Sequence, residues 1–597
     1  MTKIRLVIVW IIIMLGMLGL LANLFRIQVI YASVLRERAD QQHMIRLNPS
    51  VPRRSIVDRM GNVLAVDKPV YTLYAHPVMF GQPKEKVAAV LAPILSMSSN
   101  DLFAKFSSGD TGIRVVDNLA EDVANQITDL QLDGLELDQE QQRLYPQQDL
   151  FSDVVGYVNV DRQGQAGLEY SQEKKLEQSR EAMRISRSGD GSIIPAGLPK
   201  NFLKQDDLSL KLTLDSRLQR ATQSALKQQI TKYSAKRGAA IVMDVRDGSI
   251  LSLAAEPSYD PNQYYKYHLD RLRDWVVTDL YEPGSTFKPI NVAIALEAGA
   301  IHPDETFYDE GAIEVGGWPI QNSDYEARGG RGTITVTDIL KYSSNVGMVH
   351  VVQRLQPGVF YGWLERLGLD KPTGVDLPFE ASGQMKTYDQ FTGAVIEAAT
   401  TAFGQGFSLT PIKLIQLHAT LANGGKMVTP HVVQGLFNAD GQLAWQPTIS
   451  APKRIFSRQT TRSVLDMMEK VVQEGTGKPA QIPGYQIAGK TGTAQKASPN
   501  GGYIDRARIT SFVGILPAED PRFAVLAVVD EPQGDDAFGS TVAAPIVKSV
   551  MQALITTEQL TPSNPDQVEK RKVHSSGESD SPGKDTSNLS EMGVTQD

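Results

Sequence analysis

No cysteine occurs among the 597 residues, which removes disulfides, thiolate nucleophiles and the sulfur ligands of zinc and iron–sulfur sites. The eight histidines are scattered, with no H-x-x-x-H pair, so neither a metal nor any other cofactor is expected. The lack of cysteine suits an oxidising compartment and the cytosol alike, and locates nothing. Positive charge is not in excess either: 60 Lys+Arg stand against 68 Asp+Glu, a formal charge of -8, so no nucleic-acid partner is expected. Aromatic residues are 7%, hydrophobic residues 41% and charged residues 21%, a globular balance that excludes a wholly disordered, collagen-like or polytopic membrane chain. The length corresponds to roughly four domains at about 150 residues each.

Long apolar runs are missing too, with one exception. Residues 6–25, Leu6 to Phe25, are interrupted only by Asn23; at about 1.5 Å per residue they span the roughly 30 Å hydrocarbon layer. The run exceeds the apolar core of a signal peptide and no small-x-small cleavage pattern follows it, so it reads as one transmembrane anchor after a short tail, residues 1–5. Lys3 and Arg5 before it and Arg26, Arg36 and Arg38 after it leave the orientation open.

From Arg26 to about Met44 the pattern looks helical, a stalk continuing the anchor. Short strands and helices follow to about Asp206, so 26–206 is expected to be a non-catalytic region. Near Leu208 the texture changes. LSLKLTL alternates like a strand, and Asp215 is placed to cap a helix from Ser216. Residues 239–245 and 249–255, joined at Arg246-Asp247-Gly248, predict a hairpin. Residues 508–516 and 522–531 predict two more strands, and Pro545 opens a last helix. Strands at both ends, terminal helices and a mostly helical middle predict one α+β domain over 207–560. Residues 561–597 are too polar to offset the entropy of ordering and are expected to be a disordered tail.

Three short stretches inside 207–560 can carry chemistry. In Ser285-Thr286-Phe287-Lys288, preceded by Glu282-Pro283-Gly284, a serine at a helix start has a lysine one turn on, on the same face. A neutral lysine amine can take the hydroxyl proton, provided burial or another cation lowers its pKa. Alone, Ser285 reads more readily as a helix cap than as a nucleophile. Ser343-Ser344-Asn345 can present a hydroxyl and an amide from one loop, or be only a turn. Lys490-Thr491-Gly492-Thr493 follows Gly489 and, with Gly484, spells G-x-x-x-x-G-K-T, the loop that cradles nucleotide phosphates. An ATPase has to be weighed, with Asp530 as the magnesium-binding strand end. That loop needs a helix directly after it, however, and the continuation through Pro499, Asn500, Gly501 and Gly502 cannot make one.

Co-occurrence decides. Serine-x-x-lysine, serine-x-asparagine starting 58 residues on, and lysine-threonine-glycine 145 residues beyond the asparagine form one ordered set, the trio of serine β-lactamases and penicillin-binding proteins. The chain resembles a class B penicillin-binding protein over nearly its whole length. Arg53 to Ala65 is similar to that family's R-G-x-I-x-D-R-x-G-x-x-L-A box, and Arg143-Leu144-Tyr145-Pro146 with Gly156, Gly164, Gly167, Leu168 and Glu169 to a second box. Ser-Ser-Asn-Val-Gly resembles the septal, cell-division subclass more than the elongation subclass.

The resemblance implies an α+β multidomain protein: a transpeptidase domain with an antiparallel sheet flanked by helices and a helical subdomain, on an elongated pedestal with one membrane helix. It implies a peptidoglycan D,D-transpeptidase acting on stem peptides that end in D-Ala-D-Ala and inhibited covalently by β-lactams. Ser285 would be the nucleophile, Lys288 its base, and Lys490 a charged group acting on Lys288. Lys490 with Thr491 and Thr493 would recognise the substrate carboxylate, with Gly492 in the same binding strand. Ser343 would relay the proton and Asn345 hold the peptide, while the N–H groups of Ser285 and Thr493 form the oxyanion hole. A polytopic glycosyltransferase and division proteins are the implied partners, and the implied location is the bacterial inner membrane with the catalytic domain on the periplasmic side. Elongation transpeptidase, D,D-carboxypeptidase and non-enzymatic scaffold remain as alternatives.

Overall fold

A computed structural model describes residues 2–35, 44–47, 51–178, 183–186, 206–498 and 501–567. Thr2–Phe25 is one α-helix followed by a π-helical turn, Arg26–Ile30. Among the described residues, Lys3–Ile30 is the helical stretch long and apolar enough to cross a membrane. Its apolar side chains are exposed all round, Trp10 and Phe25 included, as suits a helix solvated by lipid. The helical reading toward Met44 is met in its first part only. Helix persists to residue 35, residues 36–43 lie outside the described residues, and Met44–Leu47 is a strand paired antiparallel with Met183–Ser186. A partner far along the chain overrides a helix-like local pattern.

The chain divides into two compact units. The first comprises Met1–Arg54, Asp67–Gln142 and Glu177–Asp207. In it, Tyr71 and Leu73 pair across to Leu119 and Val116, and the helices Lys84–Leu95 and Ser99–Ser107 cover one apolar cluster containing Leu73, Leu91, Leu102 and Phe106. Ser98 caps the second helix, its Oγ accepting from Asp101 N at 3.0 Å.

The second unit comprises Ser55–Val66, Arg143–Leu176 and Leu208–Asp597, so much of both boxes expected in the pedestal groups with the catalytic region. Local chemistry explains those boxes. The Asp58 carboxylate accepts from Met60 N and Asn62 N, each at 2.8 Å, around Gly61 (φ +90°), and also holds Ser216. Arg143 donates to Glu169 at 2.7 Å with both side chains almost fully inaccessible. A Cβ at Gly156 would lie 1.9 Å from the Ala166 carbonyl oxygen, so only glycine fits there.

Five antiparallel strands form the frame of this unit: β1 Arg237–Asp244, β2 Ile250–Glu256, β3 Ala488–Ala497, β4 Tyr503–Leu516 and β5 Phe523–Asp530, in the order β3-β4-β5-β1-β2. Successive side chains point to opposite faces. Ala239, Ile241 and Met243 join the core of the helical part, whereas Ala240 and Val242 pack with Leu226 of the helix Ser216–Lys232 and Met551 of the helix Ala544–Glu558. Both faces of the central strands β1 and β5 are covered, and for that reason residues 238–243 and 523–529 carry no polar side chain. Asp215 caps its helix as expected.

Two expectations need amending. The middle is largely helical, with helices such as Val336–Tyr342, Pro357–Arg366, Pro411–Ala422 and Arg458–Glu474, but it also holds short strands, Thr306–Asp309 paired with Gly332–Thr335 and Ala312–Val315 with Trp318–Gln321. Four-residue strands are too short to register as a period. Two residues beyond 561 are held by the catalytic unit: Gln486 N donates to Ser563 Oγ at 3.1 Å and Asn564 N to Gly484 O at 3.0 Å. Residues 568–597 lie outside the described residues.

Candidate active site

Pro283 and Gly284 (φ +57°) turn the chain into a 3-10 helix, Gly284–Phe287, and the α-helix Lys288–Glu297 starts one turn later than the sequence suggested. Side chains three apart eclipse in 3-10 geometry, which sets Ser285 and Lys288 on one side. Two contacts hold the turn from behind. Gly284 N donates to Gly404 O at 2.9 Å. Buried His418 donates through Nε2 to Thr286 O at 2.8 Å; burial lowers its pKa to about 4, so the ring stays neutral. Ser285 is half-buried and its neighbour Thr286 fully buried.

The second stretch is a loop between two helices, Val336–Tyr342 and Asn345–Gln353. Ser343 adopts the left-handed conformation, φ +59°, which costs a non-glycine residue about 1 kcal/mol. Ser344 caps the next helix, its Oγ accepting from Gly347 N at 2.8 Å. The third stretch lies in β3, an edge strand of the sheet.

These stretches converge. Lys288 is completely buried, and its Nζ donates to Ser343 O at 2.6 Å and Asn345 Oδ1 at 2.7 Å, with Ser343 Oγ at 3.4 Å. Lys490, equally buried, donates from Nζ to Ser343 Oγ at 2.8 Å and Thr491 O at 2.9 Å. The Ser343 hydroxyl is thus flanked by both amines. Thr491 Oγ1 shares a hydrogen bond of 2.9 Å with Thr476, and exposed Thr493 accepts at Oγ1 from Gly539 N at 3.0 Å. A Cβ on Gly492 would fall 2.4 Å from Ser511 Oγ and 3.0 Å from Thr286 Cγ2, so glycine lets β3 run against the serine turn. The Ser285 hydroxyl makes no hydrogen bond among the described residues.

Electrostatics separates the two amines. Burial, then the Lys490 charge, pushes Lys288 well below the ordinary lysine range, against an opposing pull from Asp309. Burial alone lowers Lys490 to about 7. Burial thus makes both amines weaker bases than an ordinary lysine, and Lys288 feels the Lys490 charge in addition.

The nucleotide-loop alternative is overturned. Lys490 and Thr491 sit inside a strand with no helix after them, and Asp530 is bound by Arg237 at 3.0 Å and Lys496 at 2.8 Å.

Residues 238–552 match the family described as penicillin binding protein transpeptidase domain, and residues 49–200 the penicillin-binding protein dimerisation domain. A peptidoglycan D,D-transpeptidase FtsI homolog of Mesostigma viride is 42% identical over 579 residues, 94% of this chain and 97% of that protein. The chain belongs to the penicillin-binding protein transpeptidase family. Peptidoglycan D,D-transpeptidase FtsI of Escherichia coli is 30% identical, with 92% of this chain and 91% of the relative covered. Among solved structures, penicillin binding protein 3 of Mycobacterium tuberculosis complexed with aztreonam superposes with a TM-score of 0.65 at 26% identity, over 86% of this chain and 98% of that one. The α+β multidomain fold and the class B resemblance hold.

Sequence reasoning missed the supporting residues. Asn322 Oδ1 accepts from Asn345 N at 2.7 Å, and Asp309 accepts from Asn322 Nδ2 at 2.8 Å. A lone Asp and Asn in short hairpins carry no recognisable signal. Thr476, between Gly475 and Gly477, offered only a turn-like triplet.

Proposed function

We propose that this chain is a peptidoglycan D,D-transpeptidase of the septal type, with Ser285, Lys288, Ser343, Asn345 and Lys490 as its catalytic residues. The observation that carries the reading is the buried amine of Lys288, held by Ser343 and Asn345 one turn after Ser285. Ser285 Oγ attacks the carbonyl carbon between the two terminal D-alanines of a stem peptide, and its proton passes to Lys288 Nζ. The oxyanion is met by the N–H groups of Ser285 and Thr493, donors worth about 3 kcal/mol each in such sites. The C–N bond breaks, a proton returns through Lys288 and Ser343 to the departing D-alanine nitrogen, and an acyl-enzyme ester remains. An amine of a second stem peptide attacks that carbonyl, loses a proton, and releases Ser285 Oγ, which regains its own. Lys490, with Thr491 and Thr493 along the strand at Gly492, pairs with the terminal carboxylate of the donor, and Asn345 holds the peptide. A β-lactam acylates the same serine, and its leaving nitrogen stays tethered.

The apolar N-terminal helix supports a single-pass membrane anchor; a bacterial inner membrane, the catalytic unit on its periplasmic side, and a polytopic glycosyltransferase and division proteins as partners complete the proposed setting. Labelling with a fluorescent penicillin tests the site. The parent protein is expected to be labelled and Ser285→Ala not; labelling that survives the substitution overturns the assignment.

A further inference from the structure

The amide of Asn322 can in principle point either way, since its oxygen accepts and its nitrogen donates. Here it has one choice. Nδ2 donates to both oxygens of Asp309, at 2.8 and 3.0 Å, and a carboxylate cannot donate in return. A flipped amide would set oxygen against oxygen. Oδ1 is therefore turned to the loop, where it accepts from Asn345 N at 2.7 Å, Val346 N at 3.1 Å and Ser344 Oγ at 3.1 Å. Those N–H groups open the nine-residue helix Asn345–Gln353 and have no partner within it. The preceding residue completes the grip: Asn345 Nδ2 donates to Gln321 O at 2.9 Å, which leaves Asn345 Oδ1 facing Lys288 at 2.7 Å. Asp309 itself is anchored by Gly311 N at 2.8 Å and by the pairing of Thr306–Asp309 with Gly332–Thr335. Neither Asp309 nor Asn322 reaches solvent appreciably, at 0% and 2% exposure.

We infer that Asp309 and Asn322 are positioning residues for acyl transfer: Asp309 locks the Asn322 amide, and Asn322 with Gln321 aims Asn345 and the Ser343 loop at Lys288. This rests on the proposed roles of Ser285 and Lys288. Asp309 also acts through its charge. The charged groups bearing on Lys288 are Lys490 from β3, which favours the neutral amine, and Asp309 from the hairpin, which opposes it. The pair thus sets the aim of the loop and limits how far the base is weakened.

The test is the pH profile of acylation by a fluorescent penicillin, on the full chain. Asp309→Asn keeps the shape, removes the charge and lets the Asn322 amide flip; the acid limb should move to lower pH and the plateau rate fall by about tenfold or more. Asn322→Ala should lower the plateau similarly and leave the acid limb in place. A folded Asp309→Asn protein whose acid limb stays at the wild-type position overturns the inference. Should that variant fail to fold by circular dichroism, Asn322→Ala decides, and a wild-type rate overturns the inference. Wild-type protein not labelled at Ser285 would instead sink the acyl-transfer reading itself.

Discussion

The two buried lysines predict an asymmetric pH response. Lys490 is lowered to about 7 by burial, and Lys288 lies well below its ordinary range. Raising the pH through 7 therefore discharges Lys490. A donor carboxylate facing Lys490 changes from a charge-assisted hydrogen bond to a neutral one, and the former is roughly twice as strong. With charged hydrogen bonds worth about 1.5–3 kcal/mol and neutral ones about 0.5–1.5, the loss is about 1–2 kcal/mol, or roughly five- to thirty-fold in rate. The second-order acylation constant for a carboxylate-bearing β-lactam should fall by that factor between about pH 6 and pH 9 and then level off. Because this constant reports groups of the free enzyme, its midpoint should lie near the Lys490 value. Lys490→Gln, which carries no titrating group, should be slower throughout and lack the alkaline decline. Stopped-flow acylation across pH in both proteins provides the measurement. A wild-type profile flat to pH 10, or an alkaline decline that persists in Lys490→Gln, would refute the reasoning.

Other substitutions probe the packing behind the site. Gly492→Ala puts a methyl 2.4 Å from Ser511 Oγ and 3.0 Å from Thr286 Cγ2. Displacing the serine turn by a fraction of an ångström should lower acylation by about ten- to hundredfold, and a wild-type rate in the folded variant would show that the contact is relieved elsewhere. Arg143→Ala strips the guanidinium from Glu169, whose side chain is fully inaccessible. Leaving that carboxylate buried should cost about 3–5 kcal/mol, read from the denaturation midpoint and slope; a loss under about 1 kcal/mol would mean that Glu169 is satisfied without Arg143.

The elements that the sequence made legible are those that repeat a period or begin with a chemical signal. Asp215 caps its helix, Gly248 turns the first hairpin at φ +90°, and Pro545 lies in the first turn of the last helix. In each case the cause is a side chain acting on its own backbone. The small hairpins at 306–335 escaped because four residues hold too few turns of the pleat to stand out, and Met44–Leu47 because its pairing partner is remote.

Sequence by itself determined the candidate groups: three spaced motifs supplied two serines, two lysines and an asparagine, and the apolar run at the N-terminus supplied a candidate anchor. Tertiary structure alone decided their state. The burial that weakens Lys288 as a base comes from helices and a strand far apart in the chain, and the lowered pKa of Lys490 from its complete enclosure. The orientation of Asn345 depends on Asp309, which ends one short strand, and Asn322, which follows another. Desolvation and hydrogen-bond direction are properties of a surrounding volume, and a linear string of residues does not specify that volume.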